Sequence, residues 1–195
     1  MSEITEFLIS YGRKNYLIRG DYVKYRCGMD KAAGKNGNGF VPVNLTLTVI
    51  TRVVAPWISD FRKAEEISRL LDCYRKVYPD LDEDEVKLIQ HIDRAFKRSA
   101  MCVPWISASV ISSAIKEVTG DKTVNVRGII FVDPKLIGVY AEYRPTGLEV
   151  YEYIREGSVI TSRMLINKKI EGSFTTSIGA KRQKGYGQVR IELSY

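Results

Sequence analysis

From Val43 to Val54 the segment "VNLTLTVITRVV" sets Leu45, Leu47 and Val49 against Thr46 and Thr48. A period of two residues is the pattern of a strand with one buried face. Upstream, Leu8 to Arg26 mixes aromatic and β-branched residues with charges, as in "NYLIRGDYVKYR", and predicts one or two strands broken near Gly20. The run "GKNGNG", Gly34 to Gly39, reads as a flexible loop. Past Pro56 and Trp57 the period changes. Phe61, Ala64, Ile67, Leu70, Leu71 and Tyr74 form an apolar stripe at helical spacing, with Ser59 or Asp60 placed to cap its start and Pro79 to stop it. The acidic run "DLDEDE" opens a second helix, where negative charge suits the N-terminal end of the macrodipole, with Val86, Leu88, Ile89, Ile92 and Phe96 as its apolar positions. The expectation is a helical hairpin over residues 60–99.

A third helix is predicted from Ser107 to Val118, closed by Gly120. Strand patterns follow in "VNVRGIIFV", "GLEVYEYI", "SVITSRMLI" and "GQVRIELSY", separated by Asp133-Pro134, Pro145-Thr146-Gly147 and Gly157. Strand, then helices, then strands is the order of an α+β domain with helices on one face of an antiparallel sheet. The tetrapeptide "PWIS" occurs at 56–59 and again at 104–107. Without further copies it marks no helical repeat, and we read the echo as coincidence.

A chain of 195 residues with 45% hydrophobic content can bury one sizeable core. We expect a single domain over 1–195, with 1–40 as an N-terminal strand and loop extension and 60–99 as an inserted hairpin. Thirty Lys and Arg against 23 Asp and Glu give a net charge of +7. That balance favours anionic partners, nucleic acid first and an acidic membrane surface second. Cys27, Cys73 and Cys102 lie far apart with no CxxC, and His91 is the only histidine. This argues against a zinc site and a disulfide framework, and the odd count fits a reducing cytoplasm. No run approaches the length of a membrane span, so the expectation is a cytoplasmic protein without membrane contact.

Chemistry concentrates near the C-terminus, in "IGAKRQKGYGQVRIEL", Ile178 to Leu193. Glycines at 179, 185 and 187 let a backbone approach an anionic chain closely, Lys181, Arg182 and Lys184 suit phosphates, and Tyr186 suits a base or sugar face. The same residues also suit an ordinary solvated hairpin. At the other end of this region, Ser107, Ser109 and Lys116 flank a helix whose N-terminal amides suit a phosphate, although Ser107 also suits a simple cap. Trp57 and Trp105, each after a proline, read as core residues ahead of RNA stackers, and Tyr140, Tyr143, Tyr151 and Tyr153, alternating along strands, as sheet packing.

In order along the chain, these segments resemble the RAMP superfamily of CRISPR-associated RNA-binding proteins, most of all the backbone subunit of type III effector complexes. Gly179, "AKRQK" and Gly185-Tyr186-Gly187 leading into a last strand are similar to the C-terminal glycine-rich loop of that superfamily. "PWISASVISSAIK", Pro104 to Lys116, resembles a helix-opening segment of the backbone subunits, departing at Ser107-Ala108 and Ser112-Ser113. "LEVYEYIREGSVITSRMLI" resembles a third element, with Glu152 or Glu156 before Gly157. The matches span 104–195.

The resemblance implies a ferredoxin-like (RRM-like) antiparallel sheet, although little room remains between Ile166 and Gly179 for that fold's second helix. It implies binding of guide RNA and target RNA, assembly with other effector subunits, and a homo-oligomer along the RNA. For target cleavage it implies a divalent metal such as magnesium near an aspartate after the first strand, with Asp60 as the positional match and Asp30 as the alternative. Asp60 suits a helix cap better than a metal-binding role, and no carboxylate pair has metal-site spacing. Two other readings stay open. One is an endoribonuclease processing CRISPR precursor RNA, for which His91 is the available acid or base. The other is a small interaction protein without catalysis, for example a viral relative.

Overall fold

The computed structural model describes the strand segments 6–11, 14–19 and 22–24 and all of 39–195. Asp30 and Cys27 lie outside the described residues. Strands β1 (Glu6–Tyr11), β2 (Lys14–Arg19) and β3 (Tyr22–Lys24) pair antiparallel in that order. In β4 (Val41–Val49) the alternation is realised: Val43, Leu45, Leu47 and Val49 are buried and the residues between them are not. A two-residue β5 (Val53–Val54) follows. Then come a 3-10 turn at Asp60–Arg62, α1 (Lys63–Val77) and α2 (Glu83–Gln90). Asp82 caps α2 by accepting from the Glu85 N–H, and the Glu85 carboxylate accepts from the Asp82 N–H.

The helical hairpin ends earlier than its apolar spacing implies. Residues Ile92–Arg94 are β6 and Lys97–Arg98 are β7. Ile92, fully buried, stands in parallel register with Val150, and the Phe96 N–H donates to the Glu152 carboxylate at 2.8 Å. Tertiary partners thus take over the backbone where helical spacing alone continues. "PWIS" at 104–107 is likewise a strand, β8 (Pro104–Ser107), and the helix opens one residue later as α3 (Ala108–Thr119), closed by Gly120 at φ 71°.

The C-terminal half contains β9 (Val126–Arg127), β10 (Ile129–Phe131), β11 (Ile137–Arg144), β12 (Gly147–Ile154), β13 (Val159–Ile166), β14 (Gly172–Ser177), a 3-10 turn at Arg182–Lys184, and β15 (Gln188–Ser194). Of these, β14 was not expected from the sequence, and β11 was anticipated only through the strand alternation of Tyr140 and Tyr143. β14 occupies the short stretch in which the ferredoxin pattern has its second helix.

Three sheets involve the fully described region: β14-β15-β4-β13-β9, then β11-β12-β5 with β6 beside β12, then β10-β8-β7. All their pairings are antiparallel except β6 with β12. With three α-helices among the described residues, the architecture is α+β. One core lies between the five-stranded sheet and α3, whose Ile111, Ala114 and Ile115 meet Leu45, Leu47, Met164 and Ile191 within one apolar cluster. The buried Ser112 hydroxyl accepts from the Val126 N–H at 2.7 Å, tying α3 to β9. A second core packs Leu70, Leu71 and Tyr74 of α1 with Ile89, Ile92 and Val150.

Cys73 and Cys102 form a disulfide, with Cα atoms 5.2 Å apart. This corrects the reading of the cysteines as unpaired. Spacing along the chain carried no sign of the pair, because the bend that returns β7 and β8 to the flank of α1 brings them together.

Candidate nucleic-acid interface

An open groove of about 690 Å³ runs between α3 and the C-terminal loop. Ser107 comes from the end of β8, Ser109 and Ser113 from the first half of α3, Ser177 from the end of β14, and Gly179 and Arg182 from the loop between β14 and β15. Arg94, Lys97, Trp57 and Trp105 complete its polar and aromatic lining. The two segments singled out in the sequence, far apart along the chain, therefore meet at one surface. Three of the lining residues are cationic and none is acidic.

The α3 side is held by short-range bonds. The Ser107 hydroxyl accepts from the Ser109 N–H at 3.3 Å and lies 2.8 Å from the Ser109 hydroxyl, and the Ser113 hydroxyl donates to the Ser109 carbonyl. Ser107 is the cap of α3, and the first turn of the helix faces the groove. Lys116, in the last turn of α3, is half-buried and does not line it.

In the loop, the glycines serve close approach to the protein's own backbone. Gly179 at φ 80° sits where a Cβ would come within 2.7 Å of the Val54 carbonyl, and Gly187 at φ 83° sits where a Cβ would overlap the Ile178 carbonyl. Amides of the loop turn inward as well. The Ala180 N–H donates to Val54, the Ile178 N–H to Gly187 and the Gly187 N–H to Arg52, all within 2.9 Å. Gly185, also at positive φ, ends the 3-10 turn in open space.

The three loop cations differ sharply. The Lys181 side chain is only 4% exposed; its ammonium lies 2.6 Å from Glu142 and 3.2 Å from Glu149, and 3.8 Å from the Tyr151 ring centroid. Lys184 reaches the other Glu142 oxygen at 2.8 Å but remains about half exposed. Arg182 stays 52% exposed, with a 3.4 Å contact to Glu117, and is the loop cation that lines the groove. Tyr186 is half-buried beside Tyr151, whose phenol is pushed up first by burial and then by Tyr186.

This division has a cause that the sequence contains. The turn at Pro145-Thr146 sets Glu142 directly opposite Glu149 across β11 and β12, and facing carboxylates repel. Lys181 bridges them; Arg144 pairs with the same Glu149 oxygen that Lys181 approaches, and Arg94 pairs with the other. Hydrogen bonds from Lys181 and then Lys184 hold the Glu142 carboxyl down to about 2. The equal spacing of Glu142 and Glu149 from that turn was the available signal.

Sequence reasoning also passed over Arg94 and Lys97, and it assigned the two tryptophans to the core. Trp57, read as core, is 59% exposed, and the Arg94 guanidinium carbon lies 3.8 Å from its ring centroid. Trp105 is half-buried, with the exposed Lys97 ammonium 5.8 Å from its centroid.

Asp60 is exposed at the start of the 3-10 turn and does not line the groove. Ser59, ahead of it, makes no side-chain capping bond. His91 lies at the exposed C-terminal end of α2, also away from the groove. Among the described residues no group of three or more His, Cys, Asp or Glu side chains is placed to hold a metal ion. Glu152 is fully buried and accepts from Tyr74, Arg98 and the Phe96 N–H, a structural anchor. Among the described residues no helix is long and apolar enough to cross a membrane.

No family model matches the sequence, and no curated protein does. Among solved structures the chain is similar to one in the cryo-EM structure of the type III-B Cmr-β complex bound to cognate target RNA, at 12% identity and a TM-score of 0.39. The likeness covers 80% of this chain and 59% of that one.

Proposed function

We propose that the protein is an RNA-binding subunit of the backbone type in a CRISPR effector complex, holding guide RNA along the groove between α3 and the C-terminal loop. The observation that carries this reading is the meeting of Ser107 and Ser109 with Gly179 and Arg182 on a surface whose charged lining is wholly cationic. Phosphates would lie against Lys97 and Arg182, with the first turn of α3 adding N–H donors and partial positive charge. The sequence resemblance over 104–195 supplies the biological context.

The strand order supports a reduced ferredoxin-like core. Leaving out β14, the sheet runs β15-β4-β13-β9, which is last, first, third, second in the order of the ferredoxin pattern, with α3 as its first helix. In this reading β14 stands in place of the second helix, and the loop from β14 to β15 is the RNA-contacting loop of the superfamily. Repeated copies along one guide strand, beside other effector subunits, are the assembly this implies.

The test replaces Lys97 and Arg182 together by glutamine and measures RNA binding over a range of salt. Both side chains are exposed, so thermal stability should hardly change. Binding to unrelated single-stranded sequences should weaken alike, and the salt slope should fall by roughly 0.7 for each phosphate that is no longer neutralised. An unchanged affinity and slope would remove the groove from the RNA-binding reading.

A further inference from the structure

The two "PWIS" tetrapeptides share the placement of their isoleucine and tryptophan. Ile58 and Ile106 are buried, while Trp57 and Trp105 line the groove. These are the only tryptophans of the chain. Each is accompanied by a cation, Arg94 over Trp57 at 3.8 Å and Lys97 near Trp105 at 5.8 Å. Glu149 accepts from Arg94 Nε at 2.8 Å and so fixes the guanidinium on that ring. With 59% of Trp57 exposed and one face under Arg94, the ring offers its opposite face to solvent.

We infer that Trp57 is a stacking platform for unpaired bases, with Trp105 lining the groove beside it, so that the groove takes single-stranded nucleic acid with its bases turned toward the protein. This deepens the function proposed above and rests on it. An indole already backed by a guanidinium extends by one more planar layer when a base stacks on it, and every base has a face that fits. Lys97 and Arg182 would take the phosphates on either side, along a lining that contains no carboxylate among the described residues. A duplex keeps its bases stacked inside and cannot use the platform.

Because both tryptophans lie in the groove, intrinsic tryptophan fluorescence reports on it alone. Oligouridylate should quench that fluorescence and bind more tightly than an abasic ribose-phosphate strand of equal length or a perfect duplex. Trp57→Ala should weaken oligouridylate binding roughly ten-fold, with the salt slope kept and abasic-strand binding unmoved. Trp57→Phe, which keeps a ring, should restore most of the loss and controls for folding. Equal affinity for oligouridylate and the abasic strand, or no effect of Trp57→Ala, would overturn the stacking inference while leaving the phosphate-binding reading intact. Binding of neither strand would overturn both, and quenching by a proline-rich peptide in place of oligouridylate would assign the groove to a protein ligand.

Discussion

Lys181 shows how one side chain of a basic loop is committed to the fold. Its ammonium bridges Glu142 and Glu149 from a left-handed backbone position at φ 58°. Lys181→Met should therefore cost roughly 1.5–3 kcal/mol in denaturant unfolding, the range for a hydrogen bond to a charged group. Lys184→Met, half exposed, should cost less than about 1 kcal/mol. The pH dependence follows from Glu142. Its carboxyl is held below the ordinary value of 4.5, so the stability it contributes is present above about 4.5 and is lost as pH falls toward about 2. In Glu142→Gln the unfolding midpoint should vary less with pH in that window than in the parent. Gly187→Val should cost about 1–3 kcal/mol, since its φ of 83° is strained for a branched residue and its Cβ would meet the Ile178 carbonyl.

At the scale of elements, Glu152 fastens β12 to β7 and α1 at once. Its carboxylate accepts from Tyr74 at 2.7 Å, from Arg98 and from the Phe96 N–H, all away from solvent. Burial first, and then the Glu152 charge, push the Tyr74 phenol well above its ordinary range. Replacing Glu152 by Leu would leave the Arg98 guanidinium buried without its counter-charge. An equilibrium unfolding loss of about 3–5 kcal/mol is expected. The paired variant Glu152→Leu with Arg98→Met should recover a large part of it, and failure to recover would mean that the Phe96 and Tyr74 bonds dominate. This anchor also explains why the helical hairpin stops at Gln90. Apolar spacing continues through Ile92 and Phe96, but β12 and Glu152 offer their backbone better partners than another helical turn.

Across the whole molecule, the disulfide joins α1, which packs in the second core, to the segment leading into β8 and the first core. It closes a loop with a sequence separation of 29 residues, a length for which chain-entropy reasoning gives roughly 3–4 kcal/mol. Reduction should accordingly lower the unfolding temperature. Hydrogen exchange should locate the loss, with protection falling first in α1 and α2, while β4, β13 and β15 keep theirs because they are paired on both sides within the five-stranded sheet. Uniform loss across both cores would show that the molecule opens as one unit.

Periodicity, glycine placement and the acidic run alone determined β4, the start of α2, the Gly120 end of α3, and the approximate positions of β12, β13 and β15. These features depend on neighbours within a few residues, so local spacing carries them. The glycine loop and the Ser107 region were also visible as segments with unusual chemistry. Only the tertiary structure decided that they meet, that Lys181 turns inward onto a carboxylate pair, and that Trp57 and Trp105 stand in a groove and not in the core. It also decided the Cys73–Cys102 pair, the strand character of β14, and the early end of α2. In each case the competing states differ by contacts made between residues distant in sequence: a proline followed by tryptophan packs equally well inside or along a cleft, and a lysine in a glycine-rich turn suits either solvent or a buried acid. Which one forms depends on what the rest of the chain brings to that place.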